Sequence, residues 1–257
     1  VDRLRFYKHD YDQPTLGILG LGAFGRLMAR HLSPYFRLYG FDSNSAEVDG
    51  VTIADIATVA GCDIVVLATP VSALSSVIAG IAPHLRPGAL VLDVGSVKVI
   101  PAEIMARELP ATVDIVGTHP LFGPQSARDG IVGLKIAVCP IRGARGPRVA
   151  AFLRKKLGLD VILTTPDAHD REAATVQGLT HLIAKVLVRM EPLPTKMTTA
   201  SFDLIARAVE MVRYDAPEVF MAIERANPYS RDVRERFFAL AAELDATLAA
   251  SRGEDGA

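Results

Sequence analysis

The sequence predicts an α/β domain built on a doubly wound parallel sheet, followed by an all-helical domain. Three observations predict it. Short, continuously apolar runs alternate with helical patterns as far as Leu163, as expected of strands buried on both faces. A glycine-rich turn, Gly20-Leu21-Gly22-Ala23-Phe24-Gly25, follows the first such run and opens the first helical one. After Val161-Ile162-Leu163 the strand pattern stops and a helical period continues to about Ala250.

Residues 1–14 have no clear period and read as an N-terminal arm. Leu16–Leu19 is an apolar strand, Phe24–Leu32 a helix and Phe36–Phe41 a second strand. Asp63–Ala68 is a strand and Val71–Ile81 a helix. Ala89–Val94 is the next strand, and a helix starts at Pro101, a residue suited to a first turn. Val113–Val116, Lys135–Val138 and Val161–Leu163 complete the set, giving a sheet domain over 15–163. The helical domain, 164–250, begins with a long pattern from Ala168 to Met190 and has breaks at Pro192–Pro194 and Pro217. The polar end, 251–257, reads as a disordered tail.

Composition narrows the function class. Half of the 257 residues are hydrophobic, 22% are charged and the net charge is -1, so no nucleic-acid or membrane-surface partner is expected. No apolar run approaches the ~18 residues that span a bilayer, and the polar first ten residues lack the core of a signal peptide. Cys62 and Cys139 have no metal-ligand spacing and read as reduced core thiols of a cytoplasmic protein.

The glycine string is a weak signal alone and a strong one between a strand and a helix. Gly20 permits the tight turn, Gly22 lets a pyrophosphate approach the backbone, and Gly25 lets helix pack on strand. The helix N-terminus then offers N–H donors to phosphates. Asp42 ends the second strand about twenty residues on, where a carboxylate accepts from a ribose diol and repels a 2'-phosphate. No arginine follows in Asp42-Ser43-Asn44-Ser45. These residues predict a Rossmann-type domain that binds NAD rather than NADP, with Leu21, Ala23 and Phe24 lining the phosphate turn and Thr69 and Pro70 at the end of the next strand.

The chemical residue is His119, in Gly117-Thr118-His119-Pro120-Leu121-Phe122-Gly123-Pro124. It sits between a strand end and a proline, which biases it toward extended backbone. Imidazole exchanges a proton near neutral pH. The other reading is a turn histidine with a structural hydrogen bond; the neighbouring motifs favour chemistry. Ser96 and Lys98, in Asp93-Val94-Gly95-Ser96-Val97-Lys98, fall at the same sheet edge and with His119 form a polar cluster at the nicotinamide end of the cofactor, where Ser96 is also a candidate cofactor contact. Their plain readings are a helix cap and a solvated lysine.

With these residues placed, the chain resembles the prephenate and arogenate dehydrogenases of tyrosine biosynthesis, from about Leu16 to Phe238. The motifs are the glycine string, Asp93-Val94-x-Ser96-Val97-Lys98, Thr118-His119-Pro120-Leu121-Phe122-Gly123-Pro124-Gln125-Ser126, and Ala168-His169-Asp170 followed by Gln177-x-x-Thr180-His181. The Phe122–Ser126 continuation, with Val209-Glu210 and Phe220, is most similar to the plant and cyanobacterial arogenate branch. That branch commonly uses NADP, and Asp42 departs from it.

The resemblance implies an oxidative decarboxylation. Hydride leaves C4 of a cyclohexadiene for the nicotinamide, CO2 leaves C1, and the ring becomes aromatic. His119 would be the base on the C4 hydroxyl and Ser96 the residue that orients it. Thr118, Gln125, Ser126, Gln177 and His181 would contact substrate, and the helix from Ala168 would form the far wall of the cleft. Arg207 or Arg213 would clamp a carboxylate. Asp167 or Asp170 would meet the ammonium of arogenate, although Asp167 is equally suited to a helix N-terminus. No metal is expected, because His169 and His181 are twelve residues apart, about 18 Å along one helix. The family dimerises through its helical region. Here Phe202, Leu204, Ile205, Val209, Val212, Val219, Phe220, Phe237, Phe238 and Leu240 exceed what one thin helical layer buries, so a homodimer is expected.

Two other functions use similar features. A β-hydroxyacid or 6-phosphogluconate-type dehydrogenase needs a catalytic lysine with an asparagine four residues on, and Lys185 has none. A non-enzymatic NAD-binding redox sensor would need the glycines and Asp42 but not His119.

Overall fold

The structure, a computed structural model, describes residues 13–44 and 47–254. Most of the expected N-terminal arm, Ser45 beyond Asp42, and 255–257 of the expected tail lie outside the described residues. The chain divides into two compact units, Val1–Asp167 and Ala168–Ala257.

The first unit is built on one eight-stranded sheet. Its strands are β1 (Thr15–Leu19), β2 (Arg37–Phe41), β3 (Val51–Ile53), β4 (Ile64–Leu67), β5 (Leu90–Asp93), β6 (Asp114–Pro120), β7 (Lys135–Arg142) and β8 (Asp160–Leu163). They lie in the order β3-β2-β1-β4-β5-β6-β7-β8. The reversal of order beside β1 makes a topological switch point, where open α/β sheets bind ligands.

The fully parallel sheet expected from the sequence needs correction. β6 and β7 pair antiparallel, and β8 runs parallel to β7. The 121–134 connection carries no helix, and antiparallel neighbours need no helical crossover. The pairing also lengthens both strands. Thr118, His119 and Pro120 face Val138, Ala137 and Ile136, so His119 lies within β6 rather than beyond its end.

Helices cover both faces. On one face α2 (Ile56–Ala60), α3 (Leu74–Ile81) and α4 (Val99–Glu108) bury Val59, Ile78 and Met105 against Val65, Val91 and Ile115. On the other, α1 (Ala23–Leu32) and α5 (Gly146–Leu157) bury Leu27 and Ala150 against Leu90, Val116 and Val138. Between those two helices and the sheet lies an apolar cavity of about 330 Å³, with Phe24, Leu92, Val94, Thr118 and Phe152 in its wall.

Three elements were not read from the sequence. β3 has three residues and α2 five, too short for a period to register. α2 carries a cap signal, Asp55, whose carboxylate accepts from Thr58 N at 2.7 Å. α5 has Pro147 in its first turn and Gly158 at its end in left-handed backbone, φ 68, the usual start and stop residues. α4 starts at Val99, two residues before Pro101, which stays within the first turn.

Arg142, at the end of β7, ties the sheet to the end of α4. Its guanidinium donates to Val113 O at 3.1 Å, Ala106 O at 3.3 Å, Leu109 O at 3.3 Å and Pro110 O at 2.5 Å. Ala106 and Leu109 belong to the C-terminal end of α4, where helix carbonyls lack intrahelical partners. Arg142→Met is expected to lower unfolding stability by about 2–3 kcal/mol, the scale of charge-assisted bonds to partly buried acceptors. Urea unfolding checks this; a change below about 0.5 kcal/mol, the scale of a neutral surface substitution, would contradict it.

The second unit is helical. α6 (Pro166–Arg189) leads into it, followed by α7 (Ala200–Val212), α8 (Pro217–Met221), a π-helical turn (Ala222–Ala226) and α9 (Ser230–Glu254). Thr199 caps α7, accepting from Phe202 N at 3.2 Å. Ser230 Oγ donates to Ile223 O at 2.7 Å and Asn227 Nδ2 to Asp170 O at 2.8 Å, which fixes the π-helical turn against α6. α9 runs to Glu254, beyond the Ala250 end read from the sequence, and no proline interrupts it. No helix among the described residues is long and apolar enough to cross a membrane.

Candidate active site in the sheet unit

The carboxyl ends of β1, β2, β4, β5 and β6 gather most of the expected site residues. The turn after β1 is shaped by two glycines. Gly20 has φ +99, and a Cβ there would stand 2.5 Å from Ala68 O. A Cβ on Gly25 would stand 2.1 Å from Gly20 O. Both clashes are with backbone, so neither glycine can be replaced without moving the turn. Gly22 differs: a Cβ there meets nothing within 4 Å, so its surface is open. Gly22 also caps α1 without a side-chain hydrogen bond, and no acidic residue lies in the first turn. The turn therefore presents backbone N–H groups and a positive helix end to an anion.

Asp42 follows β2 and faces this turn. Its Oδ2 accepts from Leu21 N at 2.7 Å and its Oδ1 from Asn44 N at 2.9 Å. A carboxylate has about four lone-pair sites, so two remain for a diol. Thr69, after β4, has a buried hydroxyl oxygen with no hydrogen-bond partner among the described residues. An open glycine surface, an uncapped helix end, a half-satisfied carboxylate and an orphaned hydroxyl together fit a dinucleotide.

The next two strands carry the chemical residues. Asp93 ends β5 and is 3% exposed; Lys98 is 1% exposed. Lys98 Nζ donates to Asp93 Oδ2, which also accepts from Gly95 N at 3.0 Å. Burial pushes the Asp93 carboxyl above its ordinary range, and Lys98 opposes that shift. The solvated reading of Lys98 is therefore excluded. Ser96 is half-buried in the segment that joins Asp93 to Lys98. The α4 cap position is Lys98, without a side-chain cap bond, so Ser96 is not a helix cap.

His119 is 3% exposed. Side chains alternate along a strand. Thr118 and Pro120 line the cavity beneath α1 and α5, so His119 projects from the opposite face. Gly117, two residues earlier, shares that face, and a Cβ on it would lie 3.3 Å from both Asp93 Oδ1 and Lys98 Cδ. The hydroxyl of Thr118 donates to Asp93 O at 2.6 Å. Thr118 thus links β6 to β5 and faces away from His119. Gln125 and Ser126 are exposed in the following loop. Ser126 Oγ accepts from Gly123 N at 3.0 Å, closing a local turn.

The other expected residues lie on the helical unit or at its start. His181 is buried in α6, and burial, reinforced by Lys185, holds its pKa down at about 4. It is neutral at pH 7, with Asp215 Oδ2 3.8 Å from Nε2. Gln177 is half-buried one turn earlier. His169 Nδ1 lies 2.7 Å from Asp170 Oδ1, both buried. Asp167 is exposed in the first turn of α6. Arg213 is already committed: Nε reaches Glu210 at 2.7 Å, and the guanidinium forks onto Glu191. Arg207 is exposed on α7 and pairs with no carboxylate among the described residues. Sequence reasoning missed the Glu191–Arg213 fork because 22 residues separate the partners. It also missed Lys98 as a buried partner of Asp93, although five residues from strand end to helix start is a spacing that could have suggested it.

The model of the prephenate dehydrogenase nucleotide-binding domain matches residues 43–140, the span from the end of β2 through β7 that contains Ser96, Lys98 and His119. Over these residues the chain is similar to the prephenate/arogenate dehydrogenase family. Chloroplastic arogenate dehydrogenase 2 of Arabidopsis thaliana is 30% identical over 181 residues, 68% of this chain and 51% of its own length. A probable arogenate/prephenate dehydrogenase of Methanocaldococcus jannaschii is 28% identical over 187 residues, 68% of this chain and 41% of its own. The chain thus spans about half or less of the length of these curated relatives. Among solved structures, prephenate dehydrogenase from A. aeolicus, in complex with hydroxyphenyl propionate and NAD+, aligns with a TM-score of 0.72. The alignment covers 96% of this chain and 94% of that one at 22% identity, a likeness of fold.

Proposed function

We propose that this protein is an NAD-linked dehydrogenase that oxidatively decarboxylates arogenate, prephenate or both. The observation that carries the reading is His119, held in β6 on the Asp93–Lys98 face at the ligand-binding edge of a nucleotide-binding sheet. His119 takes the proton of the C4 hydroxyl as that carbon becomes carbonyl-like. Ser96 orients the imidazole, and the Asp93–Lys98 pair keeps the segment between β5 and α4 in one place. A bound nicotinamide dinucleotide would supply the hydride acceptor. Gly20, Gly22 and Gly25, with the flanking Leu21, Ala23 and Phe24, hold its pyrophosphate, Asp42 its ribose diol, and Thr69 and Pro70 the strand end beside it. Loss of the ring carboxylate as CO2 completes an aromatic ring, whose oxygen takes the proton back from His119, so the protein supplies position and one group that holds the proton between the two steps.

Gln177 and His181 remain proposed substrate contacts. For the carboxylate clamp the free guanidinium of Arg207 is favoured over Arg213, whose charge two carboxylates already take. Asp167 is proposed for the ammonium of arogenate, which tilts the reading toward that substrate. Thr118 and Ser126 act by shaping the site, since their hydroxyls serve the backbone, and Gln125 stays a proposed contact in the loop. The test is initial rates with arogenate and prephenate, each with NAD and NADP. Turnover with at least one substrate is expected, and NAD should be preferred by at least about tenfold, a 1.4 kcal/mol difference. No turnover with either substrate would overturn the reading; equal rates with both cofactors would overturn the role of Asp42.

The helical unit is proposed to dimerise. α9 is exposed along most of its length, and Phe238, Leu240, Leu244 and Leu248 are each at least half exposed. On α7, Leu204 and Ile205 are exposed as well, while Val209 is buried within the chain itself. Apolar area of this extent marks an interaction surface. Light scattering at micromolar concentration should give twice the chain mass; a fully active monomer would contradict the proposal.

A further inference from the structure

The residues after Asp42 hold no arginine that could receive a 2'-phosphate, but the fold brings one there from α1. Arg26 follows the last glycine of the turn. Its Nε donates to Leu21 O at 3.1 Å, and its Nη1 to Glu47 O at 3.1 Å. Leu21 is also the residue whose N–H donates to Asp42 Oδ2. One peptide segment is therefore held from both sides, by the carboxylate through its N–H and by the guanidinium through its carbonyl. Glu47 is five residues beyond Asp42, so Arg26 bridges the two loops that flank the ribose end.

Arg26 is exposed and forms no ion pair with a carboxylate among the described residues. Both of its bonds are to neutral carbonyls. A guanidinium has five N–H donors, so three remain on a cation that forms no ion pair among the described residues. That is the equipment for binding a phosphate in a fork.

We propose that Arg26 is a latent 2'-phosphate receptor, which makes the charge of Asp42 the sole barrier between NAD and NADP use. This rests on the reading of the sheet unit as a dinucleotide site. Asp42 accepts from the ribose diol and repels a phosphate dianion. Arg26 attracts that dianion from the helix side. Removing the Asp42 charge is then sufficient to admit NADP, with no arginine added.

The test is binding, measured by calorimetry with NAD and NADP on the full chain. Asp42→Asn keeps a carbonyl oxygen for Leu21 N and removes the charge. Its NADP affinity is expected to rise at least about fivefold over wild type. Adding Arg26→Gln to that variant should abolish the gain, whereas Arg26→Lys should keep part of it, because a point charge still attracts phosphate. Asp42→Ser carries the same comparison if Asp42→Asn does not fold. A smaller gain in the single variant, or a gain that survives Arg26→Gln, overturns the inference while wild-type NAD binding leaves the site itself standing. Wild-type protein that binds neither dinucleotide overturns both.

Discussion

His119→Asn is expected to lower turnover by about 10²–10⁴-fold, the usual worth of a positioned general base. Asparagine is close in size and keeps one hydrogen bond, but it cannot accept a proton at neutral pH. NAD affinity should stay nearly unchanged, because the dinucleotide residues lie on β1, β2 and β4 and His119 on β6. The pH–rate profile separates loss of a base from loss of shape. An imidazole base produces an acidic limb, since protonated histidine cannot act. That limb should be absent from the variant. Turnover within about threefold of wild type would contradict the assignment.

Lys98→Met is expected to destabilise the fold by about 3–5 kcal/mol at neutral pH, the range for removing one partner of a buried ion pair. Asp93 would be left charged beside the buried wall of β6, where the side chain is 5% exposed. The pH dependence has a definite sign. Burial raises the folded pKa of Asp93 above its unfolded value. Such a carboxyl favours the fold below the unfolded value and loses that contribution as pH rises through the folded one. Without Lys98 the folded value moves higher still, so the variant's deficit should shrink as the pH is lowered from 7 toward 5. Asp93→Asn/Lys98→Met should recover much of the loss, because no unpaired charge remains. Urea unfolding of the three proteins at both pH values checks this. A deficit that does not change with pH would contradict it.

The parts of this molecule that repeat were legible before the parts that close it. Continuous apolar runs marked β1, β4 and β5, since parallel strands buried on both faces leave no room for polar side chains. The direction of β7 was not legible. A buried strand has the same composition whichever way it runs, and only the helix-free connection after Pro120 argues for reversal. That reversal matters to the site, because antiparallel pairing with Ala137 places His119 inside a strand and gives its side chain a face. β3 and α2 escaped because a period cannot show itself in three to five residues. α5 escaped although Pro147 and Gly158 mark its ends.

At the site, residues tied to a local geometric demand were readable. The glycine turn and Asp42 are of this kind, since their spacing is set by one strand–helix–strand unit. Pairings across the fold were not. Arg26 bridging to Glu47, Thr118 bonding to the Asp93 backbone, and Arg213 forked onto Glu191 each depend on how loops return. Their partners are 21, 25 and 22 residues apart in sequence. Such contacts decide which of several plausible cations or hydroxyls remain available for a ligand.

The most direct measurement of the central claim is the stoichiometry of one reaction. Substrate labelled at the ring carboxylate is incubated with the protein and NAD, and CO2 release and NADH formation are followed together. One CO2 per NADH is expected, with both falling in parallel in His119→Asn. NADH formed without CO2, or CO2 released at the same rate without NAD, would contradict coupled oxidation and decarboxylation at this site.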